Sequence, residues 1–182
     1  MKSGIDAYAD AWEFVTARHA GQTYGGRGQG EKVPYINHLA SVAAEVAWGI
    51  AGAAGWDLDL AVQCALLHDV MEDTHTTVDE VSERFGPAVA AGVLALTKNM
   101  ALPTGEEKMR DTLARIRQQP KEVWAVKLAD RISNLYHPPF YWTSEKKRQY
   151  TVEAQVILDA LGAANSKLAE RLAAKIATYP VD

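Results

Sequence analysis

"ALLHDVMEDTHTTVDEVSERFG" (residues 65–86) runs from apolar to densely ionisable and back to a helical pattern. Ala65, Leu66 and Leu67 close an apolar run, and His68, Asp69, Glu72 and Asp73 follow at once. Such groups are costly to bury unpaired, and the remedies are pairing, hydrogen bonding or a bound metal. On a helix His68 faces Glu72 and Asp69 faces Asp73. If the helix unwinds after Val70, the two carboxylates still stay near the His-Asp pair. The plainer alternative is that His68 and Asp69 cap one helix end while Glu72 and Asp73 cap the next. Downstream, Thr77 and Glu80 have the spacing of a capping box, and Gly86 closes that short helix.

The helical period continues in both directions. Tyr8, Ala11, Trp12 and Val15 form an apolar stripe on a helix over 5–20. "GQTYGGRGQGEKV" (21–33) interrupts the pattern as a glycine-rich loop. A second helix follows over 34–53, with Ile36, Leu39, Val42, Ala43 and Val46 on one face. A third spans 55–70, and Asp57 or Asp59 is its N-cap. Pro87 opens a helix that runs to Thr97, and another spans 105–118. Pro120 opens the segment containing "VKLADRISNL", which the Pro138-Pro139 pair terminates. Two final helices cover 143–162 and 164–177. No segment alternates with period 2 or carries a hairpin signal. The expectation is all-α: a single domain over 1–182, a bundle of eight or nine helices.

Composition narrows the function. With 182 residues, 48% hydrophobic and 23% charged, the chain can bury one substantial core. Cys64 is the one cysteine, so no internal disulfide forms, which suits a reducing compartment. "MKSGIDAYADAWEF" has no apolar signal-peptide core, and no stretch has the ~20 apolar residues of a membrane span. The expected location is cytoplasmic, with no membrane partner. A net charge of −4 and a pI near 5.7 argue against a nucleic-acid surface. They leave room for a small anionic ligand.

Two further anomalies join the first. Asp130 follows Val126, Leu128 and Ala129 on an otherwise apolar helix face. Its neighbours Lys127 and Arg131 are expected to point elsewhere, which would deny it an ion pair. His38 in "PYINHLASVA" lies on the apolar side of the second helix, where a lone histidine is ordinarily a satisfied core residue. Three such positions on three helices make a metal site of His38, His68, Asp69 and Asp130 the economical reading. Two imidazoles and two carboxylates suit a borderline or hard divalent ion. A metal-bound water is acidic enough to supply hydroxide near neutral pH. Glu72 and Asp73 remain as carboxylates to orient that water and move its proton.

These residues resemble the HD phosphohydrolase superfamily. More narrowly, "HAGQ" (19–22), "PYINH" (34–38), residues 65–86, "LTKN" (96–99) and "VKLADRISNL" (126–135) resemble the hydrolase domain of RelA/SpoT-type alarmone enzymes and their single-domain relatives, the small alarmone hydrolases. "YWTSEKKRQYTVEAQVIL" (141–158) is similar to the closing helices of the single-domain members, so the likeness covers nearly the whole chain. The resemblance implies a manganese-dependent 3′-pyrophosphohydrolase that removes the 3′-diphosphate from guanosine tetra- or pentaphosphate. It implies His38, His68, Asp69 and Asp130 as ligands of one divalent ion, Mn2+, and Glu72 and Asp73 as the residues that activate water. Asn134 would contact the nucleotide, and Lys108, Lys146 and Tyr150 match the region where relatives hold phosphates and ribose. For the two lysines the bland reading is a solvated helix face. Arg131 reads as an ion-pairing scaffold residue, His19 as a brace for the loop and His75 as exposed.

One departure bears on specificity. Many guanosine-alarmone hydrolases follow the glutamine of H-x-G-Q with a basic pair. Here Tyr24 stands where the arginine would, in a longer glycine-rich loop. Tyr24 could stack on a base, with Arg27 or Lys32 supplying charge. Adenosine alarmones, (p)ppApp, are therefore kept beside (p)ppGpp, and NADPH as a third substrate. The competing readings are another HD phosphatase such as a 5′-nucleotidase, and a nucleotide-binding module without turnover. A purely structural helical protein would leave the three polar clusters unexplained.

Overall fold

A computed structural model describes residues 3–26 and 28–182. Among them ten α-helices succeed one another: α1 (Ile5–Arg18), α2 (Ile36–Ile50), α3 (Leu58–Leu67), α4 (Val70–Asp73), α5 (Val78–Phe85), α6 (Pro87–Leu96), α7 (Gly105–Ile116), α8 (Lys121–Asn134), α9 (Ser144–Leu161) and α10 (Ser166–Thr178). α4 is a single turn, and a 3₁₀ turn (Gly162–Ala164) joins α9 to α10. The expected helical fold is thus the one observed.

α8 is the axis. Val123, Ala125, Val126, Leu128, Ala129 and Ile132 are wholly buried, and α2, α3, α6, α9 and α10 all pack against it. A helix enclosed on all sides is core by necessity, so a charged residue on it must find partners inside the protein. Leu39, Val42 and Val46 of α2 and Cys64, Leu66 and Leu67 of α3 meet α8 in one continuous core. Each fully buried leucine contributes about 2 kcal/mol by removal from water. Gly92 on α6 allows a close approach. A β-carbon there would lie 2.7 Å from Cys64 Sγ and 3.0 Å from a Val123 methyl carbon.

Helix ends follow the sequence chemistry. Asp57 caps α3 by accepting from Leu60 N at 2.9 Å, whereas Asp59 turns away and accepts from Gly4 N. The capping box of Thr77 and Glu80 is present, and Gly86, at φ 92°, closes α5. A second box, Thr104 with Glu107, opens α7.

Two expectations need correction. Residues 21–34 contain a short antiparallel hairpin, β1 (Thr23–Gly25) and β2 (Lys32–Pro34), with Tyr24 opposite Val33. Three-residue strands are too short to show a period, so pattern reading misses them. The third helix stops at Leu67 rather than near Val70. At Asp69 the backbone turns to φ −103°, ψ −2° before α4 begins, so His68 and Asp69 occupy a corner.

Candidate metal centre and adjoining cleft

That corner faces α2 and α8. His68, just beyond α3, uses Nδ1 to reach the Ala65 carbonyl at 2.8 Å. A carbonyl only accepts, so Nδ1 carries a proton and Nε2 is the nitrogen left to take a second proton or a metal ion. His38, in the first turn of α2, sets Nδ1 3.2 Å from Ser133 Oγ and also turns Nε2 inward. Asp130 comes from the middle of α8. The three residues are buried, and one ligand atom from each lies within 4.8 Å of the others. Asp130 Oδ1 is 3.5 Å from His38 Nε2 and 3.8 Å from His68 Nε2. Asp69 joins from the corner, its Oδ2 2.9 Å from His68 Nε2 and 3.6 Å from His38 Nε2.

This donor set fits a divalent ion. His68 Nε2 is buried without a hydrogen-bond partner. Its nearest polar neighbour is Asp69 Oδ2, at 2.9 Å. An unsatisfied buried nitrogen aimed at a focus shared by two carboxylates and a second imidazole is what a cation would complete. The electrostatics agree. Burial lowers the affinity of the His68 ring for a proton, but the Asp69 and Asp130 carboxylates outweigh that and raise its pKa to about 9. Burial likewise favours neutral carboxyls, yet His68 and His38 hold Asp69 below the ordinary range. Lys127, with both histidines, does the same for Asp130.

The surrounding side chains include several that sequence reading missed. Tyr35, just before α2, donates its hydroxyl to Asp69 Oδ2 at 2.5 Å. Burial and that carboxylate keep the phenol protonated, far above its ordinary pKa. Lys127 Nζ reaches Asp130 Oδ2 at 2.9 Å. The expectation that Lys127 points elsewhere is therefore wrong, because positions i and i+3 do share a helix face. Asn134, one turn beyond, donates to Asp130 Oδ1 at 2.6 Å. Arg131 behaves as scaffold: its guanidinium lies 4.0 Å from the centroid of the Tyr150 ring and 3.6 Å from Glu153. His19 braces the loop by hydrogen bonding to Gln22, which donates on to the Asp73 carbonyl. His75 is exposed.

Two chambers meet at this centre. The first, about 420 Å³, is lined by Glu72, Asp73, Lys98, Lys108, Asn134 and Tyr150, among others. The second, about 230 Å³, is aromatic, with Tyr24, Tyr136, Tyr141, Trp142 and Tyr150 on its walls. Tyr35, His38, Asn134 and Tyr150 border both. Of the expected substrate contacts, Lys108, Asn134, Tyr150 and Tyr24 thus line the cavities. Lys146 does not; its Nζ sits 5.7 Å from the Trp142 ring centroid. Lys32 pairs with Gly25 in the hairpin and lines neither chamber. Arg27 lies outside the described residues.

Lys98 is the other omission. Two residues past α6, it engages Glu72 through both its backbone N–H (3.1 Å) and its Nζ (2.6 Å). Burial draws its pKa down, and the Glu72 bond more than restores it. Asp73 is shifted upward, by burial first and then by Asp69.

Comparison with known proteins places this geometry in context. The HD domain family model matches residues 11–173. The guanosine-3′,5′-bis(diphosphate) 3′-pyrophosphohydrolase MESH1 of Xenopus tropicalis is 33% identical over 177 residues, covering 94% of each chain. The human protein of that name is also 33% identical, over 179 residues, with the same coverage. A guanosine-3′,5′-bis(diphosphate) 3′-pyrophosphohydrolase of Aquifex aeolicus is 33% identical over 150 residues, which are 81% of this chain but 20% of that one. Among solved structures, a metazoan ortholog of SpoT described as hydrolysing ppGpp superposes over the full length of both chains, with a TM-score of 0.82 and 26% identity.

Proposed function

The chain belongs to the HD-domain family, and from that premise we propose that it is a metal-dependent 3′-pyrophosphohydrolase of nucleotide alarmones, acting on (p)ppGpp, (p)ppApp or both. The observation that carries the reading is the convergence of His38, His68 and Asp130, with Asp69, where an acid-and-lysine chamber meets an aromatic one. A nucleotide bearing a 3′-diphosphate has the same division, an anionic end and a flat aromatic end. Similarity to named 3′-pyrophosphohydrolases over 94% of the chain supports the same conclusion.

In this reading His38, His68, Asp69 and Asp130 hold the ion, for which we propose manganese. When bound, the ion supplies an acidified water and polarises the phosphoryl oxygens. The chain does the rest. Lys127 holds the outer oxygen of Asp130 and leaves Oδ1 toward the histidines, while Tyr35 donates to Asp69 Oδ2, the oxygen that itself faces them. Glu72 and Asp73 line the cavity beside the centre, where one of them would accept the proton of that water. The water oxygen attacks the 3′-linked phosphorus, the bond from phosphorus to O3′ breaks, and O3′ takes up a proton. The products are the nucleoside 5′-di- or triphosphate and pyrophosphate. Lys108 neutralises phosphate charge, and Asn134 and Tyr150 contact the ribose between the chambers. Tyr24 stacks edge-to-face on Tyr35, with centroids 6.3 Å apart, and contributes a wall for the base.

The test is a parallel assay of ppGpp, ppApp and NADPH with manganese, separating released pyrophosphate from phosphate. Pyrophosphate from either alarmone supports the proposal, and ppApp cleavage alone would make the Tyr24 hairpin the selector of the base. Phosphate from NADPH with both alarmones intact would replace this reading with a general HD phosphatase.

A further inference from the structure

The acidic pair of the cleft is not symmetric. Both carboxylate oxygens of Glu72 are occupied by one residue: Oε2 accepts the Lys98 backbone N–H, and Oε1 accepts its Nζ. Asp73, the next residue, has no ion pair among the described residues; its backbone carbonyl is tied to Gln22 and its side chain lines the cleft. The cations of the chamber divide in the same manner. Lys127 is spent on Asp130, and Arg131 lies against Tyr150 and Glu153. Lys98 is held at the cleft wall with 48% of its side chain still exposed. A lysine stem has several free rotors, so an ammonium at a fixed place requires an anchor. Glu72 is that anchor, gripping main chain and side chain together.

We infer that Glu72 and Asp73 do different work: Glu72 is a positioning residue that docks Lys98 so that its ammonium meets the phosphoryl group under attack, and Asp73 is the proton acceptor. A carboxylate with both oxygens engaged by an ammonium and an N–H is a poor base, while the same engagement makes Lys98 a preorganised electrostatic contact. The inference rests on the hydrolase reading for its chemistry, but its core, a phosphoryl-binding lysine held by Glu72, does not need turnover.

The experiment is a double-mutant cycle on the metal-loaded protein with Glu72→Gln, Lys98→Met and their combination, beside Lys98→Arg and Asp73→Asn. Two readouts are taken: kcat and KM for ppGpp and ppApp across pH, and pyrophosphate binding by calorimetry. Losing Lys98 is expected to weaken pyrophosphate binding and kcat/KM by about 30-fold, the scale of one charge-assisted contact. Glu72→Gln should reproduce most of that loss, and the double variant should be no worse than Lys98→Met. Lys98→Arg should recover part of it. Glu72→Gln should keep the acidic limb of the pH–rate profile, which Asp73→Asn should abolish. Losses that multiply in the double variant, unaltered pyrophosphate binding, or an acidic limb erased by Glu72→Gln would each overturn the inference. If the wild type cleaves no alarmone yet the binding cycle is non-additive, the hydrolase reading fails and the Glu72–Lys98 assignment stands.

Discussion

Asp130 sits in the middle of a helix enclosed on every side, whereas Tyr24 sits on a three-residue strand whose partner strand is largely solvated. Both border the same centre, but the structure holds them by different means. The metal side is built from α2, α3 and α8, whose leucines and valines leave no freedom for the polar groups among them. Every proposed ligand there has a second contact: Ala65 for His68, Ser133 for His38, Tyr35 for Asp69 and Lys127 for Asp130. The aromatic side is made of the hairpin and the loop over 136–142, where Tyr141 and Phe140 are 68% and 55% exposed. The rigid half is suited to chemistry that any substrate of the class shares, and the looser half to distinguishing among substrates.

Breaking the rigid half has the largest expected consequence. His68→Ala removes a proposed ligand and should abolish stoichiometric metal binding, with turnover falling at least about a thousand-fold. Asp73→Asn should lose nearly all turnover while the metal stays bound. Calorimetric titration with manganese beside a pyrophosphate-release assay separates the two. Metal binding by His68→Ala at the wild-type stoichiometry and affinity would remove that residue from the ligand set.

Tyr35→Phe is the next step down. It deletes one hydroxyl, leaves the ring stacked on His19, and frees Asp69 Oδ2 to turn. Outer contacts of this kind set metal affinity by roughly 10–100-fold, so manganese titration of this variant should show a shift in that range with kcat restored at saturating metal. An unchanged affinity would mean that packing alone orients Asp69.

The same contrast explains how much the sequence disclosed. His38 and Asp130 stood out as polar residues on apolar helix faces, and His68 and Asp69 as ionisable residues directly after an apolar run; the structure brings the four together. Capping signals likewise gave Asp57, Thr77 and Gly86. Tyr35 and Lys98 broke no rule: a tyrosine before a helix and a lysine after one are ordinary, and their partners, Asp69 and Glu72, lie 34 and 26 residues away. Lys127 was discounted by treating it as a mere neighbour of Asp130 when it stands one helical turn away. The hairpin left no trace, since three residues cannot display an alternation.

Tyr24→Ala probes the looser half. Stacking on one aromatic ring is worth about 1–3 kcal/mol per base, and Tyr24 is one wall of several. Its loss should raise KM for the alarmones by about tenfold, with kcat and metal affinity near wild type. A change in the ratio of ppGpp to ppApp cleavage would make the hairpin the base selector. A fall in kcat with KM unmoved would instead attach Tyr24 to the metal half, where it touches Tyr35.

The smallest effect on activity is expected behind the aromatic chamber, and it tests whether that chamber has its own support. Glu45 on α2, 6% exposed, accepts from Nε and Nη2 of Arg171 at 2.6 and 2.5 Å and from the Tyr136 hydroxyl at 2.5 Å. Burial pushes the Glu45 carboxyl upward, but Arg171 and Tyr136 prevail and hold it below the ordinary glutamate value. A carboxylate with a lowered folded-state pKa stabilises the fold above its unfolded pKa, and that contribution is lost as pH falls through the folded value. Arg171→Ala should therefore cost about 1–2 kcal/mol at neutral pH, below the cost of breaking a fully buried pair because the guanidinium is largely solvated. Urea titrations of the wild type and the variant should converge as the pH drops below the ordinary glutamate range. Tyr136 also lines the aromatic chamber, and Lys175 Nζ, 4.0 Å from its ring centroid, still restrains it in the variant. KM should thus rise less than about threefold, a loss of roughly 0.6 kcal/mol of nucleotide binding. A rise as large as that of Tyr24→Ala would make the Glu45 network part of the chamber's support.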